Sequence, residues 1–135
     1  MNDTIALHAR VLGTSDRPHL IILHGLLGTS DNWQTLGRAY AETHCVHLID
    51  QRNHGRSAHH EEHTYVSMAH DLERYFTENS LQKASIIGHS MGGKTALAFA
   101  DAFPDRVEKL IVADIASHAY SPHHQSIFKA IQSAP

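Results

Sequence analysis

The sequence predicts an α/β fold, a mainly parallel sheet with helices on both faces, and three observations carry that expectation. HLIILHG is a continuous apolar run, CVHLID and VEKLIVADIA read as further buried runs and ASIIGHS as a short strand, as strands covered on both faces are. Segments of helical spacing separate them, which is the pattern of successive βαβ units. At 135 residues the chain fits one domain with a real core, near the low end for an enzyme of this class.

Taken in order, TIALHARVLG alternates apolar and polar residues, as a half-buried antiparallel strand or hairpin does. SDRP turns the chain into HLIILHG, a buried strand that ends in glycine. SDNWQTLGRAYAE opens with capping residues and then spaces Trp33, Leu36 and Tyr40 as a helix. CVHLID is the next buried strand and runs into the polar loop QRNHGRSAHHEEHT. Met68, Leu72, Tyr75 and Phe76 share one helical face. ASIIGHS is a short strand, MGGKTALAFADAF a helix, Pro104 and Asp105 a turn, and VEKLIVADIA a fourth buried strand. The tail SHAYSPHHQSIFKAIQSAP is polar and reads as the start of another helical element.

Composition narrows the classes of function. A net charge of −3 offers no basic patch, so nucleic acid is not an expected partner. No run reaches membrane-spanning length and the start MNDTIALHAR lacks an apolar signal core. The single cysteine, Cys45, lies in an apolar run and reads as a buried strand residue. One cysteine builds no disulfide framework, so a reducing cytoplasm is expected. Histidine is abundant, with 14 in the chain and five between His54 and His70. His59, His60 and His63 sit in a loop so polar that solvated side chains are the expectation, with no metal site and no cofactor.

The chemistry centres on GHSMG, residues 88 to 92. A G-x-S-x-G pattern arises by chance in a chain this long about 4% of the time, so the weight falls on its context. A strand precedes it and an alanine-rich helix follows, which predicts a tight strand–turn–helix with Ser90 strained and exposed above the sheet edge. Gly88 and Gly92 remove side chains that would collide as strand and helix close. A hydroxyl attacking a carbonyl needs preorganised donors for the developing oxyanion. The N–H of Met91, first in its helix, is one candidate, and the N–H of Leu26, after the strand HLIILHG, is the second.

HGLLGTSDNW, IDQRNHGRS, GHSMGGKTAL and LIVADIA, in this order and spacing, resemble the α/β-hydrolase family, and more narrowly its YbfF-type bacterial esterases. The resemblance covers roughly residues 4 to 118. It implies an α/β-hydrolase fold and a serine hydrolase acting on small acyl esters or acyl thioesters. It further implies Ser90 as nucleophile, an oxyanion hole from Leu26 and Met91, and structural roles for Asp50, Arg52, His54, Gly55 and Ser57. Asp114, at the carboxyl end of VEKLIVADIA, is a candidate triad acid. In some members the acid follows this strand and in others the next one; the alternative role for Asp114 is to cap the following segment.

The family's catalytic histidine follows the last strand, beyond an inserted cap, in the order Ser, Asp, His. No histidine of this sequence matches that position: His24 belongs to the oxyanion loop, His89 flanks the serine, and His118, His123 and His124 lie where the cap begins. The chain is therefore expected to be the N-terminal part of a longer hydrolase, with residues 1–117 in the core and 118–135 opening the cap. Loss of the base from a serine triad costs on the order of a million-fold in kcat, so the isolated chain is expected to be inactive. Its cut sheet is expected to expose a strand edge and to aggregate. The alternative reading is a non-catalytic binding module on the same scaffold. Trp33 and Leu27 are candidates either to line an acyl pocket or simply to pack, and oligomeric state is not legible.

Overall fold

The computed structural model of the chain describes residues 4–25 and 28–113. A five-stranded sheet runs in the order β1-β3-β2-β4-β5, where β1 is His8–Leu12, β2 His19–Leu23, β3 Cys45–Asp50, β4 Ala84–His89 and β5 Val107–Ala113. Only β1 is antiparallel, paired with β3; the other three pairings are parallel. Among the described residues the sheet is thus the mainly parallel one expected, with the alternating first segment as its antiparallel edge.

Alternation along the strands sends apolar side chains to two cores. Ile21 and Leu23 of β2, with Ile49 and Ile86, face α2 (Tyr65–Glu78) and α3 (Met91–Ala102), where Leu72, Phe76, Ala96 and Phe99 complete a buried cluster. Leu20 and Ile22 point the other way with Val46, Leu48 and Ile87, and Trp33 and Ala41 pack over them. Such a strand needs apolar residues at every position, which is why HLIIL carries no polar alternation. The rings of Phe76 and Phe99 meet at 5.0 Å between centroids. Truncating either to alanine is worth about 3–5 kcal/mol at a site this tightly filled.

Helix α2 begins where Thr64 accepts a hydrogen bond from the Ser67 N–H, and buries Met68, Leu72, Tyr75 and Phe76 as their spacing predicts. The segment after β2 departs from expectation. It opens as a 3-10 helix, Ser30–Trp33, capped by Thr29 in a reciprocal capping box with Asn32, and continues as α1, Gln34–Tyr40. Leu36 and Tyr40 are 36% and 37% exposed. The buried position of α1 is Gly37, where a Cβ would come 3.1 Å from Leu12 and 3.2 Å from Leu48. The helix lies on the sheet through its backbone, so the apolar residues of its sequence do not mark its buried face. β5 also differs from a fully buried strand: beside only β4 among the described residues, it leaves Ile111 48% exposed.

Connections set the position of the site. From β2 the chain moves through α1 to β3 on one side, then crosses over β2 through α2 to β4 on the other, and continues outward to β5. The excursions diverge between β2 and β4. Ligands of open α/β sheets gather outside the carboxyl ends of strands at such a switch point.

Candidate active site

Ser90 occupies the switch point, directly after β4. Its backbone lies at φ 54° and ψ −113°, a region that L-residues seldom adopt. The turn is held from both sides: the Ser90 N–H donates to the Ala113 carbonyl at 3.0 Å, and its carbonyl accepts from the Lys94 N–H at 3.1 Å. Gly88 and Gly92 are required by close approach. A Cβ on Gly88 would come 2.7 Å from Gly93 Cα and run into the Gly92 carbonyl; one on Gly92 would come 2.6 Å from the His24 carbonyl. Gly88 thus lets strand and helix close as expected, and Gly92 adds a contact the sequence reading did not foresee, pressing the turn against the carboxyl end of β2.

The loop leaving β2 passes beside the serine. A Cβ on Gly25 would stand 3.4 Å from Ser90 Cβ and 3.0 Å from His89 Nδ1. Met91 is buried and opens α3, so its N–H is among those with no acceptor within the helix, at the positive end of the helix dipole. Leu26, Leu27, Asp114, His118, His123, His124 and the segment 118–135 lie outside the described residues.

Among the described residues no histidine is hydrogen-bonded to the Ser90 hydroxyl. His24 is fully engaged: its Nδ1–H donates to the Gly25 carbonyl at 2.8 Å, which leaves Nε2 to accept the Gln51 N–H at 3.0 Å. Burial holds its pKa below the ordinary histidine value. His89 turns its ring towards Trp33, 5.5 Å between centroids, so Trp33 packs beside the serine turn as well as over the Leu20 and Ile22 core.

The loop after β3 commits most of its buried polar groups to structure, the Gln51 Oε1 excepted. Asp50 accepts from the Ser30 N–H at 2.6 Å and the Arg56 N–H at 3.2 Å. Burial alone would raise this carboxyl, but those N–H donors hold it below the usual carboxylate range. Ser57 donates to the Asp50 carbonyl and accepts from the His8 N–H, and Gly55 turns the loop at φ 52°. Arg52, only 1% exposed, grips Asp71 of α2 through Nε at 2.8 Å and Nη2 at 2.9 Å, and gives Nη1 to the Glu62 carbonyl. Asp71 also accepts the Ile5 N–H, so one ion pair fastens loop, helix and N-terminal segment together.

Two of these partners escaped the sequence reading. Gln51 reaches across to β2, donating its side-chain amide to the His24 carbonyl at 2.8 Å, and so fixes the start of the loop beside Ser90. Nothing local in the sequence pairs it with His24. Asp71 did carry a signal, being an acidic residue on the apolar face that also holds Met68, Leu72 and Tyr75.

For metal-ligand geometry the described residues offer one group, and it is not the histidine-rich loop. His19, Cys45 and His47 place one ligand atom each within 4.8 Å of one another at the opposite, amino-terminal end of the strands. In the loop, His63 accepts from the Asn53 amide and His60 accepts from the Glu62 N–H. No helix among the described residues is long and apolar enough to cross a membrane.

Comparison with known proteins agrees with this geometry. A family model described as alpha/beta hydrolase fold matches residues 18–134. The chain is 39% identical over 113 residues to the esterase YbfF of Escherichia coli, covering 83% of this chain and 44% of that protein. It is 38% identical over 112 residues to an sn-1-specific diacylglycerol lipase of Mus musculus, covering 82% and 36%. A solved structure titled marine microorganism esterase superposes with a TM-score of 0.83 at 47% identity, over 98% of this chain and 52% of that one. The chain thus spans less than half the length of the curated relatives it matches. With the switch-point serine, the sheet order and the family match over most of its length in agreement, the chain belongs to the alpha/beta hydrolase family.

Proposed function

We propose that this chain carries the nucleophile and oxyanion half of a serine hydrolase that cleaves acyl esters or acyl thioesters. The observation that carries the reading is Ser90 itself, held at φ 54° at the switch point with the loop from β2 against it. In the reaction the Ser90 Oγ forms a bond to the acyl carbon, its proton passes to a histidine base, and the carbon–oxygen or carbon–sulfur bond of the substrate breaks. The leaving alcohol or thiol takes that proton, and water then releases the acid and regenerates the serine. The Met91 N–H and the Leu26 N–H receive the charge that grows on the carbonyl oxygen. Asp114 is the carboxylate that orients the base.

The base is a histidine that no described residue supplies, and the reading assigns it to a part of the relatives that the chain does not span. No step calls for a metal or an organic cofactor. A small-molecule acyl ester or thioester is the substrate class, and the lone thiol fits a cytoplasmic setting. The test is hydrolysis of a nitrophenyl ester by the complete protein. Ser90→Ala is expected to lower kcat on the order of a million-fold with substrate binding retained. Hydrolysis at the wild-type rate would remove Ser90 from the mechanism. Inactivity of the complete wild-type protein on every ester and thioester tried would favour a binding module on this scaffold.

A further inference from the structure

The amino-terminal edge of the sheet holds a second group of chemically capable side chains. Parallel register sets His19, the first residue of β2, beside Cys45, the first residue of β3, and sets Ile21 beside His47. Strand alternation turns His19, Cys45 and His47 to the same face, beneath α2. There His19 Nδ1 lies 2.9 Å from His47 Nε2, and Cys45 Sγ lies 3.7 Å from the same nitrogen. On its far side His47 Nδ1 meets the Tyr75 hydroxyl at 2.7 Å. Cys45 and His47 are buried, whereas His19 is half-buried and open to solvent.

A tetrahedral zinc ion has bonds of about 2.0–2.1 Å to nitrogen and about 2.3 Å to thiolate, so its ligand atoms stand roughly 3.3 Å apart between nitrogens and roughly 3.6 Å between nitrogen and sulfur. The sulfur already stands at about that separation from His47 Nε2, and within 4.8 Å of the His19 nitrogen. The two imidazoles must part by only about 0.4 Å, which the ring of His19, at the open end of its strand, can supply. The Tyr75 hydroxyl takes the proton of the non-ligating nitrogen of His47, the orienting contact that zinc-bound histidines keep. Burial holds both histidines below their ordinary pKa and so favours the neutral rings, and His19 Nδ1, the donor across the 2.9 Å contact, must pass its proton to the ring's other nitrogen for a cation to bind. The same burial raises the Cys45 thiol, and a bound cation would displace its proton.

We propose that His19, Cys45 and His47 form a zinc site that ties the first residues of β2 and β3 together at the end of the sheet opposite Ser90. Two imidazoles and a thiolate are a ligand set for zinc rather than for magnesium or calcium, which take oxygen. The partly exposed side of His19 leaves the remaining position to water. The assignment is independent of the reaction proposed for Ser90.

Cobalt(II) is the probe, because a thiolate bound to it gives a near-ultraviolet charge-transfer band and this chain has one thiol. Titration of the full, reduced chain is expected to saturate at one cobalt per chain with that band and strong four-coordinate visible absorption, both bleached by added zinc. His19→Ala is expected to weaken binding at least about 100-fold, and replacing His59, His60 and His63 together to leave it unchanged. If His19→Ala loses its thermal transition by circular dichroism, Tyr75→Phe takes its place, with a loss of about 10-fold to 100-fold. A folded chain that binds cobalt without the thiolate band, or a band of undiminished affinity in the folded variant, would overturn the site.

Discussion

The strands β3 and β4 flank β2 and end at the same edge of the sheet, yet the loops that follow them treat polar groups in opposite ways. After β3, Asp50, Arg52 and Ser57 are buried and bonded to backbone or to Asp71, and Gln51 commits its side-chain amide to the His24 carbonyl while its Oε1 is left without a partner among the described residues. After β4, Ser90 is half-buried, sits in a disfavoured backbone region, and has a hydroxyl with no partner among the described residues. Both stretches are rich in the residue types of catalysis. Geometry separates them: a group whose bonds are all committed holds the fold, and a group held in strain without a partner is available to a substrate.

That contrast makes opposite predictions for stability on its two sides. Arg52→Met leaves the Asp71 carboxylate buried without its cation and is expected to cost about 3–5 kcal/mol by chemical denaturation. Pairing it with Asp71→Leu should recover most of the loss, because the cost lies in the orphaned charge. Polar groups buried in β3 should also make the fold sensitive to acid. Burial and then the neighbouring His19 hold His47 at about 4, against 6.5 when free. The unfolded chain binds that proton first, so its contribution is complete above about pH 6.5 and is lost as pH falls towards 4. In chelator the expected loss is about 3 kcal/mol across that window, and His47→Gln should flatten it.

Effects at the serine turn are smaller. Gly92→Ala gains helix propensity but drives a methyl into the Leu23 and His24 carbonyls, so a net loss of about 1–3 kcal/mol is expected in the thermal transition. Ser90→Gly relieves the positive φ and should raise stability by about 1 kcal/mol while it removes the proposed nucleophile. Equal destabilisation by Arg52→Met and Ser90→Gly would erase the contrast between the loops.

Much of this was legible in the sequence because the signals were local. Apolar runs marked β2, β3 and β4, and glycines two residues either side of Ser90 marked the close packing of β4 and α3, while the contact of Gly92 with β2 came from the structure alone. Where structure depends on contacts between distant segments the sequence was silent or misleading. The spacing of Trp33, Leu36 and Tyr40 suggested an apolar face for α1, yet the helix seats itself through Gly37, a residue with no side chain to signal burial. β5 reads as a buried strand but has a neighbour on one side among the described residues. The His19, Cys45 and His47 group arises only when two strands align in register, so no spacing within one segment announces it.

The central claim is that Ser90 is the nucleophile, and labelling of the complete protein with a fluorophosphonate tests it most directly. The probe forms a bond from the serine oxygen to phosphorus as fluoride leaves. Intact mass is expected to show one adduct on the wild-type protein and none on Ser90→Ala. An adduct that persists on the Ser90→Ala protein would contradict the account.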